Sequence, residues 1–197
     1  MSDKTNFFLR FILFASLHSL FAAEWVKQTL HGSESQGYRV CYNIISLVMF
    51  GWVMSVYRQS EVLYFVPGAW SLIMYLLQLV VLGMLLSCLR QTGVGEFLGY
   101  ARRTSFSFTT SGYYSVVRHP LYLFSIIFMA LNPVMTFQWL LLTIMASVYF
   151  VVGGLTEEKR LAVEFNEAYR NYQRSVPFMI PYSLSSVLRR RDGFQDR

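Results

Sequence analysis

The chain contains apolar runs long enough to cross a lipid bilayer, and they restrict its possible folds more than any other feature. Three of these runs cover about residues 6–26, 40–56 and 70–89. A membrane-spanning helix needs about 20 mostly apolar residues, and lipid offers irregular backbone no hydrogen-bond partners. Two further runs follow Pro120 and begin at Phe137, the first of them short. We therefore predict an all-α fold, a polytopic membrane helix bundle of about five transmembrane helices.

Composition supports a membrane environment for the whole chain. Hydrophobic residues make up 54% of it and charged residues 14%, whereas charged residues make up about 25% of a soluble domain. The first run has Arg10 near its start and no small-residue cleavage site, so we interpret it as a retained helix and not as a signal peptide. We expect one integral membrane domain over residues 1–197, with a three-helix part at 1–90 and a second part at 91–197.

Positive charge is distributed unevenly along the chain. With five spans and a cytoplasmic C-terminus, Lys4, Arg10 and Arg58 lie outside, and the remaining Lys and Arg residues lie in the cytoplasm. The positive-inside rule favours this orientation. The net charge of +6 is then a signal of membrane topology, so we expect no nucleic-acid partner. The tail Arg189-Arg190-Arg191 is suited to rest on anionic lipid.

The two cysteines, Cys41 and Cys88, lie inside apolar runs. They form no Cys-x-x-Cys pair and have no His-rich neighbourhood, so we expect neither a disulfide framework nor a metal site. We interpret both as ordinary thiols.

The C-terminal half combines a polar loop with a predicted cytoplasmic helix. Residues 90–115 are rich in Gly, Ser, Thr and Arg, and they are not suited to contact with lipid. A helix is predicted from Thr156, whose hydroxyl is suited to cap it, with Glu157 and Glu158 in its first turn. Pro177 ends this helix. We predict that it is amphipathic and lies against the membrane face or folds back on the bundle, since its apolar residues recur at helical spacing: Leu161, Phe165, Tyr169 and Tyr172.

The segment Arg118-His119-Pro120 lies between the polar loop and an apolar run. Proline suits the first position of a helix, so Arg118 and His119 are expected at a helix N-terminus, where free backbone donors favour an anionic ligand. If the last two membrane helices form an antiparallel hairpin, Glu157 and Glu158 come within reach of these two residues. The alternative is structural, with Arg118 and His119 as interfacial anchors and the glutamates as an ordinary helix start.

These residues form part of a longer motif. Its parts are Gly112-Tyr113-Tyr114-Ser115-Val116-Val117-Arg118-His119-Pro120-Leu121-Tyr122, Glu157-Glu158, Glu164-Phe165 and Val176-Pro177. The motif resembles the signature of integral membrane methyltransferases, which include isoprenylcysteine carboxyl methyltransferase and the phospholipid methyltransferases. The N-terminal half is similar to the methanethiol S-methyltransferase and NnrU-like branches, through Leu17-His18-Ser19, Lys27, Arg39, Tyr42, Ser46 and Pro133-Val134-Met135-Thr136.

The resemblance implies methyl transfer from S-adenosyl-L-methionine, entering from the cytoplasm, to a small or lipophilic thiol or carboxylate acceptor in the bilayer. Residues 91–197 would supply the cofactor-binding hairpin and the cytoplasmic helix. The implied catalytic residues are Arg118, His119 and Glu158. The implied cofactor-binding residues are Gly112, Tyr114, Val117, Arg118, His119, Pro120, Tyr122, Glu157 and Glu158. A thiol acceptor would be helped to ionise by Arg118 and a positively charged His119.

Two positions depart from the family pattern. Phe124 stands where related sequences commonly have glycine soon after the motif, and its bulk affects the acceptor pocket. Asn166 replaces a frequent glycine, a mild change because asparagine tolerates left-handed conformations.

Three further residues have competing interpretations. His18, within the first helix, either contacts the acceptor or makes an interhelical hydrogen bond. Gly153-Gly154 indicates close helix packing or a kink and not a phosphate loop, because the flanking pattern of a nucleotide-binding turn is missing.

Two other functions stay open from the sequence. One is a membrane reductase with a nicotinamide cofactor, since sterol reductases share a similar C-terminal architecture. The other is a noncatalytic membrane subunit that keeps the fold, an interpretation favoured by Phe124.

Overall fold

The computed structural model describes residues 3–30, 36–58, 60–95 and 108–181. The predicted tail at residues 189–191 and residues 96–107 of the polar loop lie outside this part of the chain. The described elements are, in order, α1 (Asp3–Ala22), α2 (Glu24–Leu30), α3 (Gln36–Met54), β1 (Val62–Phe65), α4 (Ala69–Thr92), a 3₁₀ turn (Gly112–Ser115), α5 (Pro120–Ala130), β2 (Val134–Thr136) and α6 (Phe137–Ser175). The mostly helical prediction is confirmed, but the strictly all-α prediction is wrong, because β1 and β2 form a short antiparallel pair.

Within the described ranges, three helices, α1, α4 and α6, are long and apolar enough to cross a membrane by length and composition. They indicate a membrane protein. Helix α5 has only 11 residues, which corresponds to about 16 Å, whereas the hydrocarbon is about 30 Å thick.

Contacts within the chain define two compact units. The first unit contains α1, α2, α3, the two strands and the start of α6 up to Leu142. Helices α1 and α3 are antiparallel, because Arg10 near the start of α1 donates to the Trp52 carbonyl and the Ser55 hydroxyl at the end of α3, at 3.0 and 3.1 Å. The Arg10 guanidinium also lies over the indole ring of Trp52, with Cζ 4.4 Å from the ring centroid.

The strand pair closes the same end of the first unit. Gln138 is almost fully buried there, and its side-chain oxygen accepts the Arg58 N–H at 3.0 Å. Lys4 lies 3.5 Å from the Glu61 carboxylate. Lys4, Arg10 and Arg58, which the charge pattern assigns to one side of the membrane, therefore lie at one end of this unit.

The second unit contains α4 up to Gln91, the 3₁₀ turn, α5 and α6 from Thr143. The predicted helix start at Thr156 is wrong, because the helix continues through this position and the Thr156 hydroxyl donates to the Val152 carbonyl at 2.9 Å. No proline lies between Phe137 and Ser175 to interrupt it. Glu157 and Glu158 therefore lie in the interior of a helix and not in its first turn.

The chain of α6 reverses at Asn166, whose backbone is non-helical with φ 49° and ψ −123°. Glu158 and Gln173 are 15 residues apart yet hydrogen-bonded at 2.9 Å, whereas a straight helix would separate them by about 22 Å. The predicted mild replacement at Asn166 is wrong in degree, since this ψ lies outside the left-handed region and suits glycine best.

The reversal of α6 buries most of the predicted apolar stripe, because residues before and after Asn166 pack against each other. Leu161, Tyr169 and Tyr172 are buried together with Val176. The ring of Phe108 packs against this cluster, with its centroid 5.2 Å from that of Tyr169. The stripe faces protein along this stretch, so the fold-back places residues 173–178 against the segment before α5.

Candidate functional site

The segment before α5 is paired with the chain that follows α6. Pro120 occupies the first turn of α5, as predicted, and His119 lies at the N-cap position without a side-chain capping hydrogen bond. The backbone N–H of Arg118 donates to the Pro177 carbonyl at 2.9 Å, and that of His119 donates to the Phe178 carbonyl at 3.1 Å. Both N–H groups are thus engaged by protein, which fixes the path of the backbone into α5.

Arg118 forms a buried, bidentate ion pair with Glu158. Its Nε lies 2.6 Å from Oε1 and its Nη2 lies 3.1 Å from Oε2. The two side chains are only 12% and 9% exposed, and paired hydrogen bonds of this kind between charged groups are strong. Nη1 donates to the carbonyls of Gln173 and Val176. The described contacts of Arg118 therefore link α6 to the segment that follows it.

Glu158 accepts four hydrogen bonds in this cluster. Besides the two from Arg118, Oε1 receives one from His119 Nε2 at 3.1 Å and Oε2 receives one from Gln173 Nε2 at 2.9 Å. An ionised carboxylate has about four lone-pair positions. Glu158 is therefore satisfied within the protein.

The hydrogen-bond network assigns the tautomer of His119. Because its Nε2 faces a carboxylate that can only accept, Nε2 carries the proton. Burial lowers the pKa of His119, outweighing the neighbouring carboxylates of Glu157 and Glu158, which raise it. The imidazole is thus neutral near pH 7, and Nδ1 keeps a free lone pair. The positively charged His119 expected from the sequence is not favoured in this environment.

Glu157 is the more accessible acid of the pair. Its side chain is 39% exposed, and its Oε2 lies 3.9 Å from His119 Nδ1. It accepts one hydrogen bond of 3.3 Å from the Tyr122 hydroxyl. Glu157 therefore retains the capacity to accept hydrogen bonds from a ligand.

A stack of rings holds the His119 imidazole. It lies parallel to the Tyr122 ring, with centroids 5.5 Å apart, and Phe178 meets it edge-on at 4.8 Å. A Cβ at Gly154 would lie 3.0 Å from Phe178 Cζ and 3.5 Å from His119 Cε1. The close packing predicted for the glycine pair is thus found at Gly154, whereas Gly153 has open space.

The other residues of the predicted cofactor site make packing contacts in the described structure. Gly112 has φ +62°, and a Cβ there would lie 2.6 Å from the Gln91 amide. The carbonyl of Tyr114 accepts a hydrogen bond from the Tyr172 hydroxyl at 2.6 Å, and Val117 is buried. Burial raises the pKa of Tyr114, so its phenol is neutral at physiological pH.

The two predicted acceptor residues, Phe124 and His18, have defined partners. Phe124 packs edge-on against the Tyr113 ring, with centroids 5.2 Å apart. His18 belongs to the first unit and makes interhelical hydrogen bonds, with Nδ1 2.9 Å from the Ser46 hydroxyl and Nε2 2.8 Å from the Tyr42 hydroxyl. The interhelical interpretation of His18 is therefore the one that its contacts support.

Two residues of the cluster, Gln173 and Phe178, are missing from the sequence prediction. Their contacts depend on the reversal at Asn166, and a straight helix would carry Gln173 far from Glu158. The one sequence signal for this reversal is that related sequences frequently have glycine at the position of Asn166. Among the described residues no group of His, Cys, Asp and Glu is arranged to hold a metal ion.

These features define a helical membrane protein whose second unit carries a buried arginine–glutamate pair, a neutral histidine and a half-exposed acid. Its sequence matches the family described as NnrU protein over residues 6–132, and the chain belongs to this family. The sequence resemblance to the NnrU-like, methanethiol S-methyltransferase branch is thereby confirmed.

Several curated relatives carry the name methanethiol S-methyltransferase. One from Pseudomonas deceptionensis is 38% identical over 90 residues, which cover 46% of this chain and 32% of the relative. One from Crocosphaera subtropica is 37% identical over 79 residues, covering 40% and 31%. The chain thus spans about a third of the length of the relatives that it matches. No solved structure shows a significant match.

Proposed function

We propose that the protein is a membrane methyltransferase that transfers a methyl group from S-adenosyl-L-methionine to a small thiol. The observation that carries the proposal is the cluster around His119, where a half-exposed carboxylate and a free imidazole nitrogen lie 3.9 Å apart beside apolar helices. The names of the partly matching relatives support a thiol acceptor. A small thiol in the bilayer is compatible with this cluster and with the names of the relatives.

The donor set fits the proposed cofactor. S-adenosyl-L-methionine presents an ammonium group and ribose hydroxyls, which are hydrogen-bond donors, and Glu157 has acceptor capacity to bind them. The cofactor supplies an electrophilic methyl group on a sulfonium. We assign Glu157 to direct contact with the cofactor and His119 to direct contact with the acceptor, and we assign Arg118 and Glu158 to holding those two groups in place. The walls of the proposed cofactor site would be formed by Gly112, Tyr114, Val117, Pro120 and Tyr122.

We propose five membrane segments, with α3 and α5 added to the three long apolar helices. Helix α3 exposes large apolar side chains, such as Leu47 at 72% and Val48 at 66%, which suits contact with lipid. Helix α5 would enter the bilayer only partway. The charge pattern supports a cytoplasmic C-terminus and a cytoplasmic site, in a single membrane domain over residues 1–197.

Calorimetry on detergent-purified protein tests the cofactor. We expect S-adenosylhomocysteine to bind the wild type and NADPH not to bind. Glu157→Gln should weaken the binding by about tenfold or more, because a hydrogen bond to a charged group contributes about 1.5–3 kcal/mol. Glu167→Gln, an exposed glutamate on the same helix, is the matched control and should bind as the wild type does.

The other outcomes are informative. Binding of NADPH alone would favour the reductase, and binding of neither ligand would favour a noncatalytic subunit.

A methylation assay tests the acceptor. Purified protein is offered methanethiol, farnesylated cysteine and phosphatidylethanolamine side by side with the labelled methyl donor. We expect label in the product of methanethiol. Label only in farnesylated cysteine or in the phospholipid would contradict the thiol acceptor.

A further inference from the structure

The nitrogen Nδ1 of His119 faces another hydrogen-bond acceptor. Oε2 of Glu157 lies 3.9 Å from this nitrogen. Because Nε2 holds the ring proton against Glu158, Nδ1 presents a lone pair, and the carboxylate opposite it can also only accept. Because Nδ1 of His119 and Oε2 of Glu157 can both only accept, they suit a ligand group that donates a hydrogen bond.

The titratable and charged groups around the imidazole are already engaged with one another. Arg118 and Glu158 form the bidentate pair, and the Tyr122 hydroxyl donates to Glu157. Among the described residues none donates a hydrogen bond to Nδ1. Nδ1 of His119 is therefore a basic atom to which no described side chain donates a hydrogen bond.

We propose that Nδ1 of His119 accepts the proton of the thiol acceptor, an inference that rests on the proposed function. As the S–H bond breaks, the proton passes to Nδ1 and its bonding electron pair stays on sulfur. The sulfur then bonds to the methyl carbon of the sulfonium donor, whose carbon–sulfur bond breaks with the electron pair returning to the donor sulfur. The products are a thioether, S-adenosylhomocysteine and a protonated His119, which the carboxylates of Glu157 and Glu158 stabilise.

A base at this position discriminates between the two acceptor classes that the sequence left open. A thiol has an ordinary pKa of about 8.5 and is mostly protonated at pH 7. A carboxylate, with a pKa of about 4, is already ionised and has no proton to give. The free Nδ1 therefore fits a thiol better than a carboxylate.

The variant His119→Gln tests this role, because its amide can still donate to Glu158 but cannot accept a proton near neutral pH. The probes are methanethiol and thioacetate, two small sulfur nucleophiles of which only thioacetate is fully ionised at neutral pH. With methanethiol we expect kcat/KM to fall by about 100-fold or more, the usual contribution of a general base. With thioacetate we expect a change of less than about threefold, since no proton must be removed. Glu167→Gln should leave both unchanged.

A binding measurement separates this inference from the proposed function. We expect His119→Gln to bind S-adenosylhomocysteine with wild-type affinity in calorimetry. An equal loss of rate with both thiols, or a loss of this affinity, would overturn the role of His119 as a base. Absence of binding to the wild type would instead overturn the proposed function.

The pH profile of the wild type gives a test that needs no variant. With methanethiol, kcat/KM should fall as the pH drops through the pKa of His119, which lies below its ordinary value. With thioacetate this fall of kcat/KM at low pH should be absent. Profiles of the same shape for the two nucleophiles would contradict the inference.

Discussion

His18 in the first unit and His119 in the second both pack against aromatic rings, but their hydrogen bonding differs. The hydroxyl of Ser46 donates to the Tyr42 carbonyl at 2.7 Å, so His18 Nδ1 carries the proton and donates to Ser46. Its Nε2 accepts from the Tyr42 hydroxyl. Both ring nitrogens of His18 are therefore used inside the protein, whereas His119 uses one and leaves the other free.

The difference shows how similar residues acquire different roles. A histidine between two helices whose nitrogens both bind hydroxyls holds those helices together. A histidine fixed through one nitrogen, with the other beside a half-exposed acid, suits the role that we propose for His119. The hydrogen-bond partners separate the structural histidine from the candidate catalytic one.

The largest effect is expected when the support of His119 is removed. Arg118→Ala leaves the buried carboxylate of Glu158 unpaired, and breaking a buried ion pair costs about 3–5 kcal/mol. We expect a large fall in Tm in detergent, together with loss of binding of S-adenosylhomocysteine.

A double variant serves as the control for this effect. Replacing both charges, with Arg118→Met and Glu158→Leu, removes the unpaired charge, so much of the lost stability should return. Ligand binding should stay lost. If Arg118→Ala alone has wild-type Tm, the pair does not support the cluster.

The backbone before His119 provides the next test, because it is irregular, whereas His18 lies within a regular helix. Gly112→Ala would strain a residue with φ +62° and place a Cβ 2.6 Å from the Gln91 amide. Strain of this kind costs about 1–3 kcal/mol. We expect Tm to fall, and the matched Gly83→Ala, at a helical position with open space, to leave Tm unchanged or raised. Equal effects of the two substitutions would exclude a special role for this turn.

A smaller effect is expected when a partner of His18 is removed. Tyr42→Phe deletes the hydroxyl that lies within hydrogen-bond distance of both the Nε2 and the carbonyl oxygen of His18, and an interhelical hydrogen bond in a membrane protein contributes about 0.6–1.7 kcal/mol. Tm should fall slightly while the affinity for S-adenosylhomocysteine stays at its wild-type value. A strong loss of affinity would mean that His18 and Tyr42 take part in the site, and the contrast between the two histidines would fail.

The smallest effect is a pH dependence of stability that comes from His119. Because burial lowers its pKa in the folded protein, the unfolded chain takes up a proton at higher pH than the folded chain does. Stability is then complete above about pH 6.5 and is lost as the pH falls towards the lower folded pKa. Between about pH 7.5 and 5.5, Tm should fall more for the wild type than for His119→Gln. Parallel curves would show that His119 does not titrate in this range.

The sequence predicts the helical character and the meeting of Arg118 and His119 with Glu157 and Glu158, because long apolar runs and helix-starting prolines are local signals. It does not predict the strand pair. The two strands begin at Val62 and Val134, which are 72 positions apart in the chain, and pairing over such a distance depends on tertiary structure.

The path of α6 is the other feature that the sequence leaves undetermined. The polar residues at 156–158 were interpreted as a helix start, but nothing there stops helical hydrogen bonding, and the helix continues. The reversal falls at Asn166 instead. Its position decides which of the two glutamates is enclosed, because the returning Gln173 binds Glu158 and leaves Glu157 accessible.

The reversal at Asn166 also sets the order in which the protein can mature. Gln173, Val176 and Phe178 leave the ribosome after Arg118 and Glu158, so a nascent chain holds the two charges before the groups that enclose them exist. The enclosed pair is completed only when residues 173–178 have been synthesised and have turned back. An incomplete chain therefore lacks the groups that enclose the ion pair and hold His119.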